Sequence, residues 1–167
     1  MKTLGLIGGT GWLSTIDYYR IINQTVNEKL GGSYSAKLFL YSLNFAEFEK
    51  LLVENDWRGL SAFLCSAAVK LEAAGADCIL LCANTLHKVA EDVRRSVKIP
   101  LIHIAEATAA ALRKQGIRTT GLLGTKATME QEFFKEKLRQ EKIETIIPDG
   151  DDREFGHNST FEELGKG

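Results

Sequence analysis

The chain has 167 residues, 44% of them apolar, and a formal net charge of −1. That length suits one domain or one domain with part of a second, and the apolar share is ordinary for a globular core. Near-zero charge excludes a broad electrostatic attraction to nucleic acid or an anionic surface, and the short, interrupted apolar runs exclude a bilayer span. The apolar stretch at the N-terminus stops at Gly8-Gly9, too early for a signal peptide, so a cytoplasmic location is expected.

In chain order, Lys2 to Ile7 reads as a buried strand ending in Gly8-Gly9-Thr10-Gly11. A helix follows from about Ser14 to Leu30, with Ser14 or Thr15 as its cap and Gly31-Gly32 as its stop. Ala36 to Leu43 is a second strand and Asn44 to Val53 a short helix. From Trp57 to Ala74, Leu60, Phe63, Leu64, Ala67, Ala68 and Leu71 recur at helical spacing. Asp77 to Cys82 is a third strand, its apolar run typical of a strand covered on both faces. Asn84 to Ser96 is helical, Leu101 to Ile104 a fourth strand and Glu106 to Gln115 an alanine-rich helix. Thr119 to Leu123, a helix from Thr128 or Met129 to Glu141, and Glu144 to Ile147 complete the alternation. Asp149 to Gly167 is polar, with a helical turn or two around Phe161 to Leu164.

Alternating strands and helices predict an α/β fold with a mainly parallel sheet. The similarity of Gly-Leu-Ile-Gly-Gly-Thr to Gly-Leu-Leu-Gly-Thr suggests two related α/β domains, 1–116 and an incomplete 117–167. Ligands of such sheets sit at the carboxyl ends of strands. That rule selects three segments: Gly8 to Ser14, Ala83 to His87 and Gly124 to Thr128.

The first segment is a glycine-rich turn opening a helix, where backbone N–H groups favour anions. A dinucleotide site would also need an acid at the end of the next strand, near Ser42 to Asn44, and none stands there. A small carboxylate fits better, and a turn that merely joins strand to helix remains open. In the central segment, Asn84 and Thr85 suit a helix cap and a substrate carboxylate or ammonium. Cys82, beside a helix start, is either a thiol of lowered pKa or an inert packed residue. His87, one turn beyond Ala83, either faces the same cleft or is a satisfied helix histidine. The three cysteines (Cys65, Cys78, Cys82) are an odd count, which argues against a disulfide framework, and they lack zinc-site spacing, so no metal is expected.

The segments Gly8 to Thr15, Cys82-Ala83-Asn84-Thr85-Leu86-His87-Lys88 and Leu123 to Met129 resemble, in matching order, those of the aspartate/glutamate racemase family. The resemblance implies two α/β domains facing across a cleft, inversion at the α-carbon of an acidic amino acid without pyridoxal phosphate or other cofactor, and a homodimer. It implies two cysteines, one removing the α-proton while the other delivers a proton to the opposite face. By position, Thr10, Ser14, Asn84, Thr85, Thr125 and Thr128 would hold the substrate, with Lys166 meeting its side-chain carboxylate. Phe45, Phe48 and Leu52 lie where such proteins tune the pocket.

Two departures stand out. Ala83 occupies the place of the family's first acid/base cysteine, and Cys82 is one residue earlier; adjacent strand side chains point to opposite faces. Family members are also longer, and no Gly-Cys-Thr-Glu-like motif follows here, so a shortened chain that exposes apolar surface is expected. The alternatives to a racemase are a carboxylate-binding relative without catalysis and a nicotinamide-dependent oxidoreductase.

Overall fold

In the computed structural model, which describes residues 1–164, the chain divides into two units, Met1–Ile102 and His103–Gly167. The first contains β1 (Thr3–Gly8), α1 (Trp12–Leu30), β2 (Lys37–Ser42), α2 (Phe45–Val53), α3 (Trp57–Ala73), β3 (Cys78–Leu81), a 3-10 turn (Thr85–Val89), α4 (Ala90–Ser96) and β4 (Leu101–Ile102). Its four strands are all parallel in the order β2-β1-β3-β4, with Leu4 opposite both Leu38 and Cys78. The α/β class and parallel pairing expected from the alternating pattern are therefore present.

The two faces of this sheet are covered unequally. Leu60, Leu64, Ala67, Ala68 and Leu71 of α3 pack with Ile7, Ile79, Leu81 and the α4 residues Ala90 and Val93 in one continuous core. These are the apolar positions that the helical spacing marks. On α1 only Thr15 is buried, while Trp12, Ile16, Tyr19 and Ile21 are each about half-exposed.

The second unit contains α5 (Ile104–Lys114), β5 (Thr119–Gly121), α6 (Lys126–Glu130), α7 (Glu132–Gln140), β6 (Glu144–Ile146) and α8 (Gly150–Ser159), which runs on into a π turn, Thr160–Leu164. Here β5 and β6 form a two-stranded parallel sheet. Its core joins Ala105 and Ala109 to Leu122, Phe134, Leu138 and Ile143.

Several boundaries differ from those read in the sequence. The division falls after Ile102, not after residue 116, because α5 packs on α7 and Lys137 pairs with Glu106 across them. The fourth strand has only two residues, since His103 leaves it to cap α5: its Nδ1 accepts from the backbone N–H of Ala105 at 3.1 Å. The expected helix 84–96 is a 3-10 turn followed by α4. The helix expected from 128 or 129 to 141 starts at Lys126 and breaks at Gln131, whose ψ of 156° is extended. The polar tail forms α8 although it buries no residue, which is why apolar periodicity missed it. Ion pairs join it to α6, Lys126 to Glu154 and Arg153 to Glu130.

Candidate active site

The carboxyl ends of β1 and β3 are adjacent, and two loops leave them side by side. The first loop is shaped by its glycines. Gly9 has φ +87°, and a Cβ there would lie 2.3 Å from the Leu43 carbonyl oxygen and 2.5 Å from its nitrogen. A Cβ on Gly8 would lie 2.5 Å from Thr15 Cγ2, and one on Gly5 would crowd Ala76 and Cys78. These glycines are required by the chain's own close packing, so they need no pyrophosphate to explain them. Thr15 clamps the turn, its hydroxyl accepting from Gly9 N–H at 3.0 Å.

Helix α1 starts at Trp12, two residues earlier than expected, with Gly11 at its cap and no side-chain cap bond. Ser14, expected as a cap, has another task. Its Oγ lies 2.7 Å from the Gly11 carbonyl and 2.9 Å from the Cys82 carbonyl. One hydroxyl proton is shared between the two acceptors, so Ser14 ties the β1 loop to the end of β3.

Beyond Leu81 the strand ends and the chain bends through Cys82, Ala83 and Asn84. Ile79, Leu81 and Ala83 pack toward the α3 core. Cys82 falls outside that core and is 1% exposed. Of the two readings of Cys82, the lowered thiol and the inert packed residue, the burial fits the second: it pushes the thiol up to about 12. Tyr18 of α1, also held up to about 12 by burial and by its proximity to Cys82, belongs to the same dry patch. Ala83 is half-buried and carries no ionisable group. Cys82 and Ala83 therefore lie in different surroundings, Ala83 against the α3 core and Cys82 buried outside it.

Asn84 precedes the 3-10 turn and does not cap it with its side chain. Instead, among the described residues Asn84 Oδ1 is buried with no hydrogen-bond partner, and so is Thr10 Oγ1 on the first loop. Thr85 opens the turn and is half-buried. His87, 3% exposed, has Nδ1 at 3.1 Å from the Ala83 carbonyl, which accepts only, so Nδ1 carries the proton. His87 thus binds the turn to the strand end, as the satisfied-histidine reading expects.

Thr125 and Thr128 belong to the second unit. Thr125 caps α6, its Oγ1 accepting from Thr128 N–H at 3.3 Å and lying 3.2 Å from Thr128 Oγ1. The Lys126 N–H donates to His157 Nδ1 of α8 at 3.2 Å. Lys166 lies outside the described residues. Among the described residues no group of three His, Cys, Asp or Glu side chains converges as metal ligands would, and no helix is long and apolar enough to cross a membrane.

Sequence reasoning missed Trp57 and its partner. Lys88 Nζ sits 3.4 Å from the centre of the Trp57 ring. Lys88 lay inside the recognised segment, but Trp57, the first residue of α3, had no motif to mark it.

A parallel α/β sheet with polar loops at adjacent strand ends is the setting in which open α/β sheets hold small ligands. Residues 7–162 match the family model for Asp/Glu/Hydantoin racemase, and the chain belongs to that family. It is 50% identical to a proposed Asp/Glu racemase from Yersinia pestis, covering 98% of this chain and 71% of that one, with a TM-score of 0.91. It is 38% identical to an aspartate racemase homologue from Pyrococcus horikoshii OT3 (99% and 73% covered, TM-score 0.87). It is also similar to the broad specificity amino-acid racemase RacX of Bacillus subtilis (strain 168), 24% identical over 149 residues. That match takes in 87% of this chain and 64% of RacX, so the chain spans about two thirds of that relative's length.

Proposed function

We propose that this chain carries the substrate-binding half of an amino-acid racemase that inverts the α-carbon of aspartate, glutamate or a similar acidic amino acid by proton transfer without a cofactor. The observation that carries this reading is the pair of buried, unpartnered atoms Asn84 Oδ1 and Thr10 Oγ1. Leaving a buried polar group unpaired costs about 1–3 kcal/mol, so such atoms in a folded protein call for a partner. A carboxamide oxygen accepts from an ammonium, and a threonine hydroxyl donates to a carboxylate. Both stand where open parallel sheets hold ligands. Ser14, Thr85, Thr125, Thr128 and Lys166 complete the proposed binding set.

Inversion requires a base on one face of the α-carbon and an acid on the other, with fixed dipoles stabilising the carbanion between them. Cys82 is a poor base with its thiol held up to about 12, and Ala83 offers none. That observation favours a second reading, a relative that binds an acidic amino acid and moves a proton on one face or not at all. A second copy of this chain is the proposed assembly partner, in the cytoplasm, without nucleic acid or membrane; the exposed apolar residues of α1 support association.

Incubation with L- and D-aspartate or glutamate in D2O, followed by NMR, tests both. α-Deuteration with inversion of configuration supports the racemase, and α-deuteration with retained configuration supports the one-face form of the second reading. Saturable binding without exchange supports the second reading, and neither binding nor exchange overturns both.

A further inference from the structure

A groove of about 450 Å³ lies between the first turns of α3 and the 3-10 turn that leads into α4, lined by Trp57, Arg58, Ser61, Lys88 and Asp92 among others. Its charges are unbalanced. Arg58 is the second residue of α3, the end where the helix dipole disfavours a cation. Lys88 is half-buried over the Trp57 ring, and burial holds its ammonium below the usual lysine value. Among the described residues neither cation meets a carboxylate.

The nearby acids are already committed. Asp92, the one carboxylate in the groove lining, accepts from Ser61 Oγ at 2.7 Å and is paired with Arg95, and these contacts hold its carboxyl below the usual range. Asp56 caps α3 through the Gly59 N–H at 2.8 Å. The Trp57 indole N–H is held by Asn55 Oδ1, which fixes the ring as a flat wall. Arg58, in an unfavourable setting, and Lys88, desolvated and held by the face of the fixed Trp57 ring with no carboxylate partner, together leave an excess of positive charge in the groove.

We propose that this groove is a second ligand site, separate from the Asn84 loop, for a small molecule bearing a carboxylate or phosphate group. The Arg58 guanidinium supplies the two-pronged grip on the oxyanion, Lys88 a second positive charge and Trp57 the wall against which the rest of the ligand lies. Asp92 also lines the groove, and its charge disfavours an anion that reaches it.

Titration of the 15N-labelled chain with inorganic phosphate and, separately, with malonate tests this at low ionic strength. The Trp57 indole N–H is the reporter, assigned through Trp57→Phe. The expected result is a saturable shift with at least one probe in the millimolar range, weakened about tenfold by Arg58→Gln. The tighter probe identifies the oxyanion. Arg58 is exposed, so the circular dichroism of its variant is expected to match the parent; Lys88→Gln gives an independent second loss. Asn84→Ala is expected to leave the titration unchanged. No saturable shift with either probe overturns the proposal. So does a shift that survives Arg58→Gln, or one abolished by Asn84→Ala, which would assign the binding to the other loop.

Discussion

The loop after β1 and the loop after β5 look alike in sequence and have opposite economies. Gly9 is wedged against Leu43, whereas a Cβ on Gly124 would come no nearer than 3.3 Å, to Thr128 Cβ. The first loop is stiff and leaves Thr10 Oγ1 buried and unsatisfied. In the second, Thr125 and Thr128 satisfy each other at the start of α6. Rigidity comes from close packing in one and from hydrogen bonding in the other. The first keeps a wholly unpaired hydroxyl while its own frame is complete, whereas a ligand at the second would have to share the Thr125 and Thr128 hydroxyls with the α6 cap.

The largest expected effect sharpens that contrast. Gly9→Ala should cost about 3 kcal/mol in denaturant unfolding, from the backbone clash and the positive φ together. Gly124→Ala should cost less, about 1 kcal/mol, since its nearest neighbour, Thr128 Cβ at 3.3 Å, need give only a few tenths of an ångström and Gly124 has no positive φ. Equal losses would break the comparison.

A pH effect comes next. The folded Cys82 thiol is held up to about 12 against an ordinary 9.0. Between those values the unfolded chain has already released this proton, so folding stability falls as pH rises through this window. Tyr18, raised from 10.0 to about 12, adds to the same slope. A Cys82→Ala variant should show a flatter decline in urea midpoint above pH 9, and an unchanged slope would remove Cys82 as its source.

Smaller again is Thr125→Ala, which removes the α6 cap and should cost about 1 kcal/mol. Asn84→Ala should be the mildest, within about 0.5 kcal/mol of the parent, because its side-chain oxygen has no partner to lose. Calorimetry with aspartate or glutamate should nevertheless show a loss of about tenfold in affinity for that variant. A stability cost for Asn84→Ala larger than for Thr125→Ala would reverse the distinction between the loops.

The sheet and α3 were legible in the sequence because both carry apolar repeats at their own periods, and the core formed where those repeats pointed. The candidate loops were legible through the strand-end rule. The rest depended on forces that leave no periodic trace. Helix α8 is held by ion pairs to α6, with nothing buried to mark it. His103 ends β4 through a single cap bond. Ser14 was read as a cap, since a sequence cannot show that its hydroxyl reaches a carbonyl 68 residues away. Cys82 depended on how the chain bends past the strand end, which spacing alone left open.

That reach of Ser14 has an evolutionary side. It holds the main chain of residue 82, and the His87 ring likewise holds the carbonyl of residue 83. Neither tie touches the side chain at either position. The frame around the strand end is therefore indifferent to which acid or base is mounted there, and a lineage can lose or regain a thiol at residue 83 without rebuilding its support. By the same logic, Ala83→Cys is a single-step retrofit, and the new thiol should react with an alkylating agent under conditions that leave Cys82 intact.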